Sequence, residues 1–114
     1  MSSLSPLSSR SSAHVIRAIV TGANKGIGFE IAKKLSLQGV HVIMACRDTS
    51  LGAQAAEDIK RSITSSSADR MDSIDIDIME LDISKPESIT KFVADVTSLG
   101  NPIDILVNNA AIGR

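Results

Sequence analysis

Aromatic residues are almost absent from this 114-residue chain, which has two phenylalanines and neither tryptophan nor tyrosine. Single-stranded nucleic acid stacks on aromatic side chains, so their scarcity argues against that ligand. An excess of one charge is also lacking, because 12 basic and 13 acidic residues give a formal net charge of −1. Such a balance creates no field that attracts nucleic acid or anionic lipid. We therefore expect no nucleic-acid partner.

Cysteine, long apolar runs and clustered metal ligands are equally scarce. The single cysteine, Cys46, excludes an internal disulfide and is typical of a reducing compartment, so we expect a cytoplasmic location. No apolar run approaches the ~20 residues that a membrane-spanning helix needs. Neither His14 nor His41 has histidine, cysteine or glutamate at ligand spacing, so no metal site is predicted. The later acidic residues are interpreted as a solvated edge: Asp69, Asp72, Asp75, Asp77 and Glu80.

The first fourteen residues are rich in serine and contain no acidic residue. Such a start is typical of organelle transit peptides, which leaves an organelle location open, but strand-like sequence already begins at Val15. We predict a disordered tail over residues 1–14 and one partial dinucleotide-binding domain over residues 15–114.

Apolar runs alternate with helical periodicity along the rest of the chain. The predicted strands are Val15–Val20, Val40–Ala45, part of Ile74–Leu81, and Ile103–Val107. The predicted helices run from Gly26 or Ile27 to about Gln38, from Thr49 or Ser50 to about Ile63, and from Pro86 to about Leu99. This order predicts an α/β fold with a doubly wound, Rossmann-like parallel sheet, truncated after the fourth strand, with strand order 3-2-1-4.

Spacing and capping signals add detail to the first and third helices. Ile27, Ile31 and Leu35 recur every four residues and are predicted to form the buried face of the first helix. Gly39 stands where a left-handed residue ends a helix. Ser84 is predicted to cap the third helix, whose apolar stripe is predicted to be Ile89, Phe92, Val93, Val96 and Leu99.

A glycine-rich turn separates the first strand from the first helix, with the pattern Thr21-Gly22-x-x-x-Gly26-x-Gly28. Gly22 permits a sharp turn, Gly26 lets backbone N–H groups approach phosphate oxygens, and Gly28 lets the helix pack tightly on the sheet. The helix N-terminus adds unpaired N–H donors and about half a positive charge. The predicted cofactor-binding residues of this turn are Gly22, Asn24, Lys25, Gly26, Ile27 and Gly28.

Together with Asn108-Asn109-Ala110-Ala111, this turn resembles the short-chain dehydrogenase/reductase family, over about residues 15–113. The stretches Asn24–Gly28 and Ala45–Asp48 look most like the carbonyl-reductase and retinol-dehydrogenase type members. That family usually has Asn-Asn-Ala-Gly at the later position, so Ala111 departs from the pattern by one methyl group. The resemblance implies an oxidoreductase that uses a nicotinamide dinucleotide and acts on carbonyl or alcohol substrates.

The end of the second strand favours NADP(H) over NAD. NAD sites place Asp or Glu there to accept a hydrogen bond from the ribose 2′-hydroxyl, whereas this chain has Ala45 and Cys46 followed by Arg47. The Arg47 guanidinium can bind a 2′-phosphate, and Lys25 can reach the same region. The alternative is that both are solvated surface cations, with Asp48 partly neutralising Arg47.

The resemblance assigns four further residues to the cofactor site. It implies that Asp82 accepts a hydrogen bond from the adenine amino group and that the Ile83 backbone touches the base. The alternative is that Asp82 caps the following helix. The resemblance also implies that Asn108 stabilises the central strand and that Ala110 lies close to the ribose. Alternatively, the two asparagines satisfy only backbone groups of the loop.

No catalytic residue is predicted. The family's chemistry uses a tyrosine and a lysine four residues later, and this chain contains no tyrosine. We favour the N-terminal fragment of an NADP-dependent oxidoreductase, inactive as this chain. The alternatives are a non-catalytic nucleotide-binding or interaction module and a truncated product without function. A chain that ends after its fourth strand is expected to self-associate through that exposed strand.

Overall fold

The computed structural model describes residues 15–64 and 74–110. Seven elements alternate within these ranges: β1 (Arg17–Thr21), α1 (Gly26–Leu37), β2 (His41–Cys46), α2 (Thr49–Thr64), β3 (Ile76–Glu80), α3 (Pro86–Ser98) and β4 (Ile105–Val107). Each predicted helix and strand is present, although β1 begins two residues later than predicted and β4 is two residues shorter. The predicted tail over residues 1–14, Asp69, Asp72 and Ala111 lie outside the described residues.

The four strands form one parallel sheet in the order β3-β2-β1-β4, which confirms the predicted topology. In the pairing of β1 with β2, Arg17 lies opposite His41 and Thr21 lies opposite Ala45. In the pairing of β1 with β4, Ala18 lies opposite Ile105 and Val20 lies opposite Val107. The chain therefore places β2 and β3 on one side of β1 and then crosses over to place β4 on its other side. A ligand crevice forms at such a switch point, outside the carboxyl ends of the strands.

Helices cover both faces of the sheet, as strands with near-continuous apolar sequence require. Side chains alternate along each strand, so Val20 and Met44 face α1 and α2 while Ile19 and Ile43 face α3. The larger core cluster lies on the α1–α2 side. The smaller cluster on the other side receives Phe92 from α3.

The buried face of α1 differs from the predicted one. The helix buries three small residues spaced four apart, Gly28, Ala32 and Ser36, whereas Ile27 is 72% exposed. Small side chains let the helix lie close to the sheet, so the larger Ile31 and Leu35 pack against the core from its flank. The helix ends as predicted, with Gly39 in the left-handed region at φ +86°.

The start of α3 also differs from the prediction that Ser84 caps it. Lys85 occupies the N-cap position and supplies no side-chain cap, while the Ser84 hydroxyl donates to Asp82 Oδ1 at 2.6 Å. Of the predicted apolar stripe, Phe92 is buried, whereas Ile89, Val93 and Leu99 are exposed. One helix over this face of a four-stranded sheet leaves part of the stripe facing solvent.

Candidate functional site

A cleft of about 820 Å³ opens at the carboxyl ends of the strands. Four segments build its walls: the turn between β1 and α1, the start of α2 with the residues before it, the segment after β3, and the segment after β4. The lining residues are Gly22, Asn24, Lys25, Gly26, Arg47, Asp48, Leu51, Leu81, Asp82, Ile83, Ser84, Asn109 and Ala110. The fold therefore brings together eight residues that the sequence predicted for the cofactor. Ile27, Gly28 and Asn108 are not among the lining residues.

The N-terminus of α1 faces this cleft with its first-turn donors uncapped. Lys25 is the N-cap residue, in extended conformation, and no side chain within the described residues caps the helix. The first backbone bond of the helix joins the Phe29 N–H to the Lys25 carbonyl at 3.3 Å. The backbone N–H groups of Gly26, Ile27 and Gly28 precede it, so they remain available to an anion.

The other two helix N-termini are less suited to an anion. At α2, Asp48 Oδ1 accepts from the Ser50 and Leu51 backbone N–H groups at 2.9 and 3.3 Å. At α3, Pro86 has no N–H and Glu87 supplies a negative charge in the first turn. Of the three N-termini in the described residues, α1 alone has neither a side-chain cap nor an acidic first turn.

Two glycines give the turn its shape, and a third sets how closely α1 approaches. Gly22 and Gly26 have φ of +62° and +63°, a region that side chains disfavour. A Cβ on Gly26 would meet nothing within 4 Å, so this position opens into the cleft. A Cβ on Gly28 would lie 2.3 Å from the Gly22 carbonyl oxygen. Gly28 therefore acts through packing.

Thr21 and Asn109 join the glycine turn to the segment after β4, a role that the sequence analysis missed. The buried Thr21 hydroxyl accepts from the backbone N–H groups of Asn109 and Ala110 at 2.9 and 2.8 Å. Asn109 Nδ2 donates to the Gly22 carbonyl at 3.1 Å. Asn108, the residue that the resemblance assigned to strand stabilisation, is exposed. The observed bonds place that stabilising contact on Asn109.

Asp82 lies on the cleft wall after β3, within a turn of its own. Its Oδ1 accepts from the Ser84 hydroxyl and backbone N–H at 2.6 and 3.0 Å. These hydrogen bonds, that of the hydroxyl first, lower the pKa of the Asp82 carboxyl, so it is ionised at neutral pH. Within the described part of the chain both bonds fall on Oδ1, which leaves Oδ2 as an acceptor. Asp82 therefore closes a turn before α3 and does not cap that helix.

Charges of both signs lie on the wall after β2. Arg47 is exposed and lines the cleft together with Lys25 from the glycine turn. Hydrogen bonds from the Ser50 side chain and from the Leu51 and Ser50 backbones lower the pKa of Asp48. At neutral pH an ionised Asp48 therefore neighbours Arg47. Because these bonds hold the Asp48 carboxylate at the start of α2, the Arg47 guanidinium is available to a ligand in the cleft.

Cys46 ends β2 just behind this wall and is fully buried. Burial raises the pKa of its thiol, and a backbone hydrogen bond with Ala23 offsets this only partly. A protonated, inaccessible thiol is a poor nucleophile. The structure therefore supports the interpretation of Cys46 as a small core residue.

The comparisons with known proteins agree with this geometry. A family model described as short chain dehydrogenase matches residues 17–114. The chain is 40% identical over 96 residues to (+)-neomenthol dehydrogenase of Arabidopsis thaliana, which covers 84% of this chain and 30% of that protein. It is 37% identical over 97 residues to short-chain dehydrogenase TIC 32 B, chloroplastic, of Brassica napus, covering 85% of this chain and 28% of that protein.

Solved structures show the same similarity. Menthone neomenthol reductase from Mentha piperita superposes with a TM-score of 0.73 at 38% identity, covering 86% of this chain and 32% of the other. L-sorbose reductase from Gluconobacter frateurii, solved with NADPH and L-sorbose, gives 0.70 at 28% identity, covering 88% of this chain and 35% of the other. The chain spans about 30% of the length of the curated relatives it matches. None of the helices in the described residues has the length and apolar character to cross a membrane.

Proposed function

This chain belongs to the short-chain dehydrogenase family of oxidoreductases, and on that premise we propose that it binds NADP(H) in the cleft at the carboxyl ends of its strands. The observation that carries the proposal is the free N-terminus of α1, which opens into the cleft beside Gly26. An uncapped helix N-terminus offers N–H donors and a partial positive charge, and both suit a pyrophosphate. The nicotinamide cofactor supplies hydride transfer when it is bound.

The remaining lining residues suit the other parts of the cofactor. Arg47 and Lys25 supply positive charge for the 2′-phosphate, and no carboxylate ends β2 to repel it. Asp82 Oδ2 and the Ile83 backbone are positioned for the adenine. Asn109 and Ala110 follow β4 and contact the glycine turn, and we place the cofactor ribose beside them. The NADPH complex of the structurally similar L-sorbose reductase supports this choice of cofactor.

Arg47→Ala is expected to reduce the affinity for NADPH about ten- to a hundredfold, because a charged hydrogen bond to phosphate contributes about 1.5–3 kcal/mol. NADH lacks the 2′-phosphate, so its affinity should change little. Isothermal titration calorimetry with both nucleotides measures the two effects. Arg61→Ala is the matched control, because Arg61 is an exposed cation of α2 that pairs with Asp58 away from the cleft. Equal affinity of the native chain for the two nucleotides would refute the preference.

We also propose that this 114-residue polypeptide binds the cofactor without reducing a carbonyl substrate. It contains no tyrosine to exchange a proton with a substrate oxygen. Incubation with NADPH and a panel of aldehydes and ketones should leave NADPH absorbance unchanged while calorimetry shows binding. NADPH oxidation that depends on the carbonyl compound would contradict this proposal. Failure to bind either nucleotide would favour an interaction module or a product without function.

The outer edge of β4 is the proposed route of self-association. β4 pairs with β1 on one side only among the described strands, and Leu106 is largely exposed. Unpaired strand groups beside an apolar side chain favour edge-to-edge pairing. Sedimentation velocity at rising concentration should show association that Leu106→Lys reduces. Val93→Lys, at an exposed position of α3, should not reduce it. Unchanged association of Leu106→Lys would exclude this edge.

We place the protein in the cytoplasm, on the argument from its single buried cysteine. A chloroplast is the alternative, because one relative at 37% identity is a chloroplastic enzyme by name. Fluorescence microscopy of the chain fused ahead of a fluorescent protein distinguishes the two locations, since a transit peptide acts from the N-terminus.

A further inference from the structure

His41 lies between two carboxylates at the amino ends of β2 and β3, at the edge of the sheet opposite the cleft. Its Nε2 is 2.8 Å from Asp77 Oδ2, and its Nδ1 is 3.7 Å from Asp75 Oδ2. Only 13% of the His41 side chain is exposed, against 65% for Asp75 and 55% for Asp77. One ligand atom from each of the three residues lies within 4.8 Å of the others.

Strand register produces this cluster. Val42 pairs with Ile76 and Ile43 with Asp77, which sets His41 beside Asp75 at the start of the two strands. Ile76 and Ile78 pack against the core on the α1–α2 side, so the alternating acidic side chains lie on the other face of the sheet with His41. His41, Asp75 and Asp77 therefore lie together on the face of the sheet opposite α1 and α2.

A neutral imidazole cannot satisfy both carboxylates. It carries one N–H, so one nitrogen donates while the other presents a lone pair. When Nε2–H donates to Asp77, the lone pair on Nδ1 faces an oxygen of Asp75 that is itself an acceptor. The other tautomer moves the same conflict to Asp77, at the shorter distance. A positive charge between Nδ1 and Asp75, either a second proton on the imidazole or a metal ion, would remove this conflict.

We propose that this cluster binds a divalent transition-metal ion, with Zn²⁺ as its probe. His41 Nδ1 and one Asp75 oxygen are the protein ligands, and water completes the coordination. Two tetrahedral zinc ligands with bonds of about 2.0–2.2 Å lie about 3.4 Å apart, close to the 3.7 Å observed. Asp77 accepts from Nε2–H and so fixes the tautomer, the usual arrangement for a metal-binding histidine.

The neighbouring charges decide how tightly the ion binds. The two carboxylates attract the metal ion. Arg17 of β1 lies opposite His41 of β2 and adds a positive charge nearby. The Arg17 guanidinium donates to the Val15 carbonyl at 3.3 Å, and the Arg17 backbone N–H donates to Asp104. With two protein ligands and a nearby cation, we expect a weaker site than a structural zinc centre with four protein ligands.

Calorimetric titration of the 114-residue chain with Zn²⁺ should show one saturable site, and Co²⁺ should give the visible absorption of a nitrogen- and oxygen-ligated ion. His41→Gln and Asp75→Asn should each weaken Zn²⁺ binding at least about tenfold, and Asp77→Asn should weaken it about ten- to a hundredfold through ring orientation. Nitrogen NMR of the imidazole should show metal bound at Nδ1. These readouts are independent of nucleotide binding.

Two matched variants separate this site from other sources of binding. Asp95→Asn removes an exposed carboxylate of α3 that pairs with Lys91, and His14→Gln removes the other histidine; neither should change Zn²⁺ affinity. Circular dichroism verifies that each variant is folded, and Asp75→Asn decides the matter if His41→Gln does not fold. The proposal is overturned by the absence of saturable binding, by unchanged affinity in folded Asp75→Asn, or by loss of binding in His14→Gln.

Discussion

Gly26→Val is expected to abolish NADPH binding while leaving the chain folded. Gly26 stands at the start of α1, where its Cβ position is open and faces the cleft. A valine side chain would fill the space that a pyrophosphate needs to reach the first-turn N–H donors. The substitution also strains the backbone, because φ at this residue is +63°. Fluorescence titration with NADPH measures the loss.

Gly39→Val separates the loss of binding from the backbone strain. Gly39 has φ of +86° and open space around its Cβ position, so a valine there meets a similar conformational penalty at the other end of α1. A left-handed residue with a branched side chain costs about 1–2 kcal/mol. Both variants should therefore lose similar stability, and only Gly26→Val should lose the nucleotide. A folded Gly26→Val protein with native NADPH affinity would place the pyrophosphate elsewhere.

The glycine turn was predictable because its signal is local. A strand, three spaced glycines and a helix follow one another within a dozen residues, and the backbone values at Gly22 and Gly26 agree with that pattern. The strand order was predictable for a related reason, since right-handed crossovers leave few topologies for alternating strands and helices. Neither inference required a contact between distant residues.

The contacts of Asn109 and His41, which the sequence analysis missed, depend on distant pairing. Asn108 and Asn109 are chemically identical neighbours, and bonds to Thr21 and Gly22, 88 and 87 positions away, hold Asn109 against the glycine turn. Ile27 appeared buried because helical spacing does not show how closely α1 approaches the sheet. The His41–Asp77 contact spans 36 positions and follows from how β2 and β3 align with each other, which the pattern within either strand alone does not show.

Gly28→Ala is expected to destabilise the fold and to weaken nucleotide binding with it. A Cβ at residue 28 would lie 2.3 Å from the Gly22 carbonyl oxygen and 2.6 Å from Asn109 Nδ2. The first atom is backbone and the second belongs to the bond that joins the turn to the segment after β4. The helix must therefore move away from the sheet. Overpacking of this kind costs about 1–3 kcal/mol, a large part of the ~5–15 kcal/mol that stabilises a typical domain.

Gly52→Ala is the matched control, because it is also a glycine-to-alanine change within a helix. Both substitutions gain about 1 kcal/mol of helix propensity, but the Cβ at residue 52 would meet side-chain atoms of Ile78 and Cys46, at 2.9 and 3.0 Å. Side chains can shift by a few tenths of an ångström more easily than a hydrogen-bonded turn can. Urea denaturation should therefore show a clear loss for Gly28→Ala and a change within about 1 kcal/mol for Gly52→Ala. Stability equal to that of the native chain in Gly28→Ala would mean that α1 is free to move away from β1, and the N-terminus of α1 would then not be held in place for a phosphate.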